Sequence, residues 1–208
     1  MALGPWQASV ATGDGGASFD IDTTHVKHGA KSLHVHCNVG STAHGTLSQH
    51  TTDGGALLPG NDFYGRAWVY YSNAGGAGLP LGVHSWLFNS TGPYGGGTVT
   101  MNMGGGGNRL QLNYHPVAPL TEQSKQGGSI TSGAWHCLQW EYDGAGNAAT
   151  VWVDGTAAVE VDAGTGWNMG KPWRTIDLGF THYQALTNPV DVYLDDFALG
   201  TTKLACPP

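Results

Sequence analysis

Apolar and polar residues alternate with a period of two along most of this chain, and helical spacing is hard to find. The clearest run is Phe63–Ser72. Tyr64, Arg66, Trp68 and Tyr70 fall on one side of it, and Ala67, Val69 and Tyr71 on the other. Such alternation marks a strand with one buried face. Arg109–His115 repeats it, with Arg109, Gln111, Asn113 and His115 facing one way and Leu110, Leu112 and Tyr114 the other. Ser32–His36, Val83–Asn89, Thr98–Met103, Trp135–Tyr142, Ala149–Val153, Ala157–Val161, Thr175–Tyr183 and Val190–Leu199 read as further strands, bounded by Gly, Asn, Asp and Pro. Gly104–Asn108 and Asp143–Asn147 read as hairpin connections, and Asp154-Gly155 as a type I′ turn. Thr121–Gly128 reads as a polar loop. About ten to twelve short strands with no linker or repeat predict one domain over residues 1–208, an all-β jelly-roll sandwich of two curved antiparallel sheets.

Composition narrows the partners. The chain has 34 glycines in 208 residues and only 11% charged residues, against about 25% in typical domains. Lys plus Arg number 8 and Asp plus Glu 15, a formal net charge of −7. So few cations argue against nucleic acid and acidic membranes, whose binding rests on Lys and Arg. Eight Trp and eight Tyr exclude a disordered chain. No apolar run is long enough for a membrane-spanning helix. Met1–Trp6 shows neither a basic nor an apolar leader region. The lysine-poor, Gly-, Thr-, Asn- and Trp-rich remainder nevertheless points to a secreted protein with its leader removed. A monomer is expected.

The three cysteines, Cys37, Cys137 and Cys206, leave at least one unpaired within the chain. Pairing Cys137 with Cys206 would staple the C-terminal tail to a central strand and leave Cys37 a buried thiol. Without a CxxC motif, a structural zinc site is not expected. His34-Val35-His36 puts two imidazoles on one strand face, with His25 and His28 nearby. No carboxylate or thiolate lies at an obvious ligand spacing, so this reads as a polar strand face rather than a transition-metal site. Gly104–Gly107 lacks the phosphate-loop pattern and joins two strands. Asn89-Ser90-Thr91 matches a glycosylation acceptor.

Candidate chemistry gathers where polar and aromatic residues share strand faces. Arg66 lies among Tyr64, Trp68 and Tyr70; His84 lies beside Trp86; Arg109, Gln111 and Asn113 alternate on one strand; Asp177, Gly179, Thr181 and Tyr183 on another. Aromatic rings cover the apolar face of a pyranose, and amides bond its hydroxyls. A His and a Tyr beside a cation or amide also suit β-elimination from a uronic-acid polymer. The carboxylate is neutralised, a base removes the C5 proton, and an acid protonates the leaving oxygen. A hydrolase would need two facing carboxylates, and neither Glu141 nor Glu160 finds a convincing partner. A non-catalytic carbohydrate-binding module would use the same aromatic face without a proton-transfer pair.

Six segments carry a resemblance that spans nearly the whole chain: DTTHVKHGAKSLHV, FYGRAWVYYS, MNMGGG, AWHCLQWEYDGAGNAATVWVDG, DLGFTHYQ and VYLDDFALGTTKLACPP. In order and spacing they resemble bacterial relatives of the fungal cellulose-induced secreted protein family. That family is similar to glucuronan lyases and more distantly to alginate lyases. The resemblance implies a jelly roll with an open concave cleft, secretion, plant-biomass degradation and a polysaccharide partner. It supports the Cys137–Cys206 disulfide. It implies His84 and Tyr183 as the catalytic acid/base pair. Asn102, Arg66, Arg109, Gln111 and Trp86 are the expected substrate-binding residues. Where the family has an arginine and a glutamine at a strand end, this chain has Asn102-Met103-Gly104-Gly105-Gly106, so an amide stands where the family has a charge. The resemblance also implies a structural calcium, held by carbonyls near His28 and Lys31 and by the carboxylate of Asp196 or Asp195. The family's N-terminal acidic ligand has no counterpart in this sequence.

Overall fold

The computed structural model of the chain describes residues 7–11, 16–40, 43–50, 62–73, 85–94, 97–106, 109–116, 119, 121–162 and 173–208. Among them all regular structure is strand, arranged as two seven-stranded sheets. The first sheet runs in spatial order β1 (Gln7–Ala11), β4 (Ala43–His50), β13 (Thr175–His182), β6 (Ser85–Tyr94), β7 (Gly97–Gly106), β8 (Arg109–His115) and β9 (Gln123–Gly127). The second runs β12 (Thr156–Val161), β11 (Ala148–Val153), β10 (Trp135–Asp143), β5 (Asp62–Asn73), β14 (Val190–Gly200), β3 (Ser32–Cys37) and β2 (Ala17–Asp22). Every pairing is antiparallel. None of the described residues lies in a helix long and apolar enough to cross a membrane.

Strand alternation sets the core. Ala67, Val69 and Tyr71 of β5, Leu138, Trp140 and Tyr142 of β10, and Val192 and Leu194 of β14 face inward from the second sheet. Leu110, Leu112 and Tyr114 of β8, Phe88 of β6, and Ile176, Leu178 and Phe180 of β13 meet them from the first. Trp140 links the layers, stacking on Phe88 at a centroid distance of 4.5 Å. Its indole lies over Gly65, its register partner on β5. A Cβ there would sit 2.1 Å from the ring, so only glycine admits the Trp.

The turns follow their residues. Asp154 and Gly155 both have positive φ (51° and 81°), as a type I′ hairpin requires. Two expectations change. Thr121–Gly128 is not a plain loop but contains the edge strand β9, which pairs with β8. The strand expected at Val83–Asn89 begins at Ser85 and continues through Gly92 and Pro93 to Tyr94; Val83 and His84 lie outside the described residues. β1, β2 and β4 add strands beyond those the alternation predicts.

The C-terminal tail is fastened across the second sheet. Cys137 is disulfide-bonded to Cys206, and Cys37 is a buried free thiol. The Arg66 guanidinium donates through Nη1 to the Ala205 carbonyl (2.8 Å) and through Nη2 to that of Asp196 (3.1 Å). Gln139 donates to the Leu204 carbonyl.

Two stability predictions follow from this packing. The disulfide closes a separation of 69 residues, so Cys206→Ser is expected to cost about 2–4 kcal/mol, read by urea unfolding. Burial, with a smaller push from the Asp191 carboxylate, raises the Cys37 thiol from 9.0 to about 12. The native thiol therefore keeps a proton that the unfolded chain loses above about pH 9. Stability is present in full below pH 9 and declines as pH rises through about 12. Cys37→Ala should flatten that decline in unfolding curves taken on either side of pH 9.

Candidate functional site

One register row of the first sheet holds a polar residue on every strand. Register pairs align Gln7, Ser48, Asp177, Asn89, Asn102, Asn113 and Ser124 across all seven strands. Directly opposed residues of antiparallel strands share a face, so this row follows from burying Leu112, Tyr114, Phe88 and Leu178 on the other side. The next rung aligns His50, Thr175, Thr91, Thr100 and His115.

The amides of this face are held firmly. Asn89 and Asn113 are buried although they lie away from the core. Asn89 Nδ2 donates to Asp177 Oδ2 (2.8 Å) and to Thr91 Oγ1 (3.2 Å). Its Oδ1 has no partner among the described residues, leaving an acceptor for an incoming donor. Asn113 Nδ2 donates to His115 Nε2 at 2.9 Å. Gln111 is paired with Gly104 and accepts from Gln126 at 3.4 Å. Arg109 is exposed at the end of the β7–β8 hairpin, opposite Gly106.

A bulge brings Trp86 and Tyr183 to this face. β13 uses the step from Leu178 to Thr181 against the shorter step from Phe88 to Trp86 on β6. Gly179 in this stretch has a φ of 144°, which side chains rarely adopt. Consecutive Leu87 and Phe88 both enter the central core cluster, while Trp86, also buried, packs outside that cluster. The Trp86 Nε1 donates to the Tyr183 hydroxyl at 2.8 Å. Tyr183 is 46% exposed overall. Partial burial raises its phenol above the ordinary value, and the Trp86 hydrogen bond offsets part of that rise. The phenol is thus a proton donor at neutral pH.

The expected residues therefore divide. Trp86 and Tyr183 are in contact; Gln111, Arg109 and Asn102 belong to neighbouring strands of the same sheet. His84 lies outside the described residues. Arg66 is not brought to them. It belongs to β5 of the second sheet, with Tyr64, Trp68 and Tyr70, and its guanidinium is occupied by tail carbonyls. Alternation shows which face of a strand a residue takes but not which sheet the strand joins. Asn89 joins the candidate residues only through the cross-strand register, which sets it beside Asp177. Asn89 is also unsuited to glycosylation, since its side chain is buried against Asp177.

The residues expected to hold calcium lie together where the Lys27–His28 segment meets Asp195 and Asp196 of β14. Asp195 Oδ2 accepts the backbone N–H groups of Lys27 (2.9 Å) and His28 (3.0 Å), and its Oδ1 that of Asp196 (2.8 Å). Asp196 Oδ2 lies 2.7 Å from His28 Nδ1. Lys31 lines a cavity of about 290 Å³ with Asp195 and Asp196. Calcium takes six to eight oxygen ligands; the backbone N–H groups here are directed at Asp195, which leaves the Asp196 carboxylate as the candidate oxygen ligand. A different group able to hold a metal is present: His34, His36 and Asp191 on the second sheet.

Comparison with solved structures agrees with this architecture. The cellulose-induced protein Cip1 superposes with a TM-score of 0.69 at 18% identity, over 97% of this chain and 94% of that one. An endo-β-1,4-glucuronan lyase from the fungus Trichoderma reesei gives 0.69 at 15% identity, over 96% and 92%. The binding domain of botulinum neurotoxin serotype C1 gives 0.59 at 11% identity, over 95% of this chain and 45% of that one. At such identities the likeness is one of fold. No family model and no curated protein matches the sequence.

Gly104 tests the packing beneath Trp86. A Cβ there would lie 2.3 Å from the Ser85 carbonyl oxygen and 2.4 Å from the Trp86 Cα. Gly104→Ala is expected to cost about 1–3 kcal/mol and to shift tryptophan fluorescence as the Trp86–Tyr183 contact is displaced.

Proposed function

We propose that this is a secreted, carbohydrate-active protein of the polysaccharide-lyase type that binds an extended glycan on the outer face of its first sheet. The observation that carries the reading is the row of polar positions, amides and hydroxyls with Asp177 among them, aligned across seven strands of the sheet that also carries the Trp86–Tyr183 contact. Sugar hydroxyls are matched by amides that both donate and accept, and the exposed Tyr183 ring, backed by the buried Trp86, offers apolar surface for a pyranose face. The disulfide suits an oxidising, extracellular setting. The fold shared with a cellulose-induced protein and a glucuronan lyase supports the same class of ligand.

In this reading a uronate residue places its carboxylate against Asn102 and Gln111, with Arg109 supplying positive charge from the hairpin end. His84 removes the C5 proton. The C5 electron pair forms the C4=C5 double bond as the C4–O bond breaks, and the Tyr183 hydroxyl protonates the departing oxygen. A phenol held neutral suits the acid role and not the base role.

One observation favours a second reading, non-catalytic binding of a neutral plant cell-wall glycan. Asp177 places a carboxylate in the same rung as the amides, which would repel a polyuronate.

Glucuronan and alginate digests followed by the ultraviolet absorbance of the unsaturated product separate the two. The lyase reading expects product, with Tyr183→Phe lowering turnover by about 10²–10⁴-fold while leaving binding nearly unchanged. Its alkaline loss of rate should fall above the ordinary phenol value of about 10, because the native phenol is raised. Retention on cellulose, xylan or mannan without product on either polyuronate would favour the second reading. Binding to neither class of glycan would overturn both.

A further inference from the structure

The outer face of the second sheet brings together three metal-ligating side chains from distant parts of the chain. His34 and His36 lie two residues apart on β3 and so share a face. Asp191 of β14 is the direct register partner of His36. Its Oδ1 lies 2.7 Å from His36 Nδ1 and 2.9 Å from His34 Nε2. The side chains are 16%, 29% and 30% exposed for His34, His36 and Asp191, sheltered but open to water on one side.

The far nitrogen of each ring has its own acceptor. His34 Nδ1 lies 3.0 Å from Asp20 Oδ1, and His36 Nε2 lies 3.0 Å from Asn38 Oδ1. In a neutral imidazole only one nitrogen carries a proton. If Asp20 and Asn38 take those protons, both inner nitrogens turn lone pairs toward an anionic oxygen. Three electron-pair donors then converge, and a cation among them relieves the repulsion. A carboxylate or amide oxygen orienting the outer nitrogen is also how metal-ligating histidines are usually held. Tyr193 fixes the His34 ring further, stacked at 4.4 Å with planes 7° apart.

We infer that His34, His36 and Asp191 bind a divalent first-row transition-metal ion, with water completing its shell. Two imidazoles and one carboxylate suit Zn²⁺, Cu²⁺ or Ni²⁺ and not Ca²⁺ or Mg²⁺, which prefer all-oxygen shells. Tetrahedral Zn²⁺ sets its ligand atoms about 3.3 Å apart, so small side-chain rotations suffice. The site lies on the opposite sheet from the proposed glycan face and is independent of that reading.

Calorimetric titration of the intact protein with Zn²⁺ tests the inference, with Ca²⁺ as control. The expected result is one saturable Zn²⁺ per chain and no Ca²⁺ uptake at this site. His36→Ala and Asp191→Asn should each weaken Zn²⁺ binding by at least about tenfold, with unchanged circular dichroism. Asp20→Asn, which touches no metal, should weaken it by roughly 10–100-fold, whereas His28→Ala should leave it unchanged. Absence of saturable Zn²⁺ binding, or binding unaltered in a folded His36→Ala/Asp191→Asn double variant, would overturn the inference.

Discussion

The strict alternation of side chains along antiparallel strands governs this molecule. Burying Leu110, Leu112 and Tyr114 of β8 commits Arg109, Gln111 and Asn113 to the opposite face. Burying Phe88 and Leu178 does the same for Asn89 and Asp177. Because the register aligns these positions from strand to strand, core formation and the polar rung are two faces of one event. One departure from alternation in the first sheet lies where the proposed chemistry is placed. At the bulge around Gly179, β6 changes phase, Leu87 joins the core and Trp86 meets Tyr183.

The two sheets are held by different means. Aromatic packing of Phe88 on Trp140, seated over Gly65, joins them through the interior. Outside, the second sheet is strapped by its own C-terminal tail through the disulfide, Arg66 and Gln139. The first sheet is left without such a strap across its amide face among the described residues. An arginine expected to serve a substrate therefore serves the fold.

Much of this was legible in the order of residues, and the exceptions have physical causes. The faces of β5 and β8 could be read because their alternation is unbroken. The disulfide and the Asp154-Gly155 turn were legible because each rests on few residue types with narrow geometric demands. β9 was not, since Gln123–Gly127 is polar on both faces and is a strand only through pairing with β8. The phase of Val83–Asn89 stayed ambiguous because a bulge resets it. The partnership of Asp191 with His34 and His36 joins residues more than 150 positions apart. It is a product of strand order alone, which no local pattern encodes.

The central claim is that the outer face of the first sheet recognises glycan chains. Amide hydrogen exchange, with and without a soluble oligosaccharide that the protein retains, addresses it most directly. The account predicts added protection in β6, β8 and β13, centred on Asn89, Asn113 and Tyr183, with the second sheet unchanged. Protection confined to β3, β5 or β14 would contradict it.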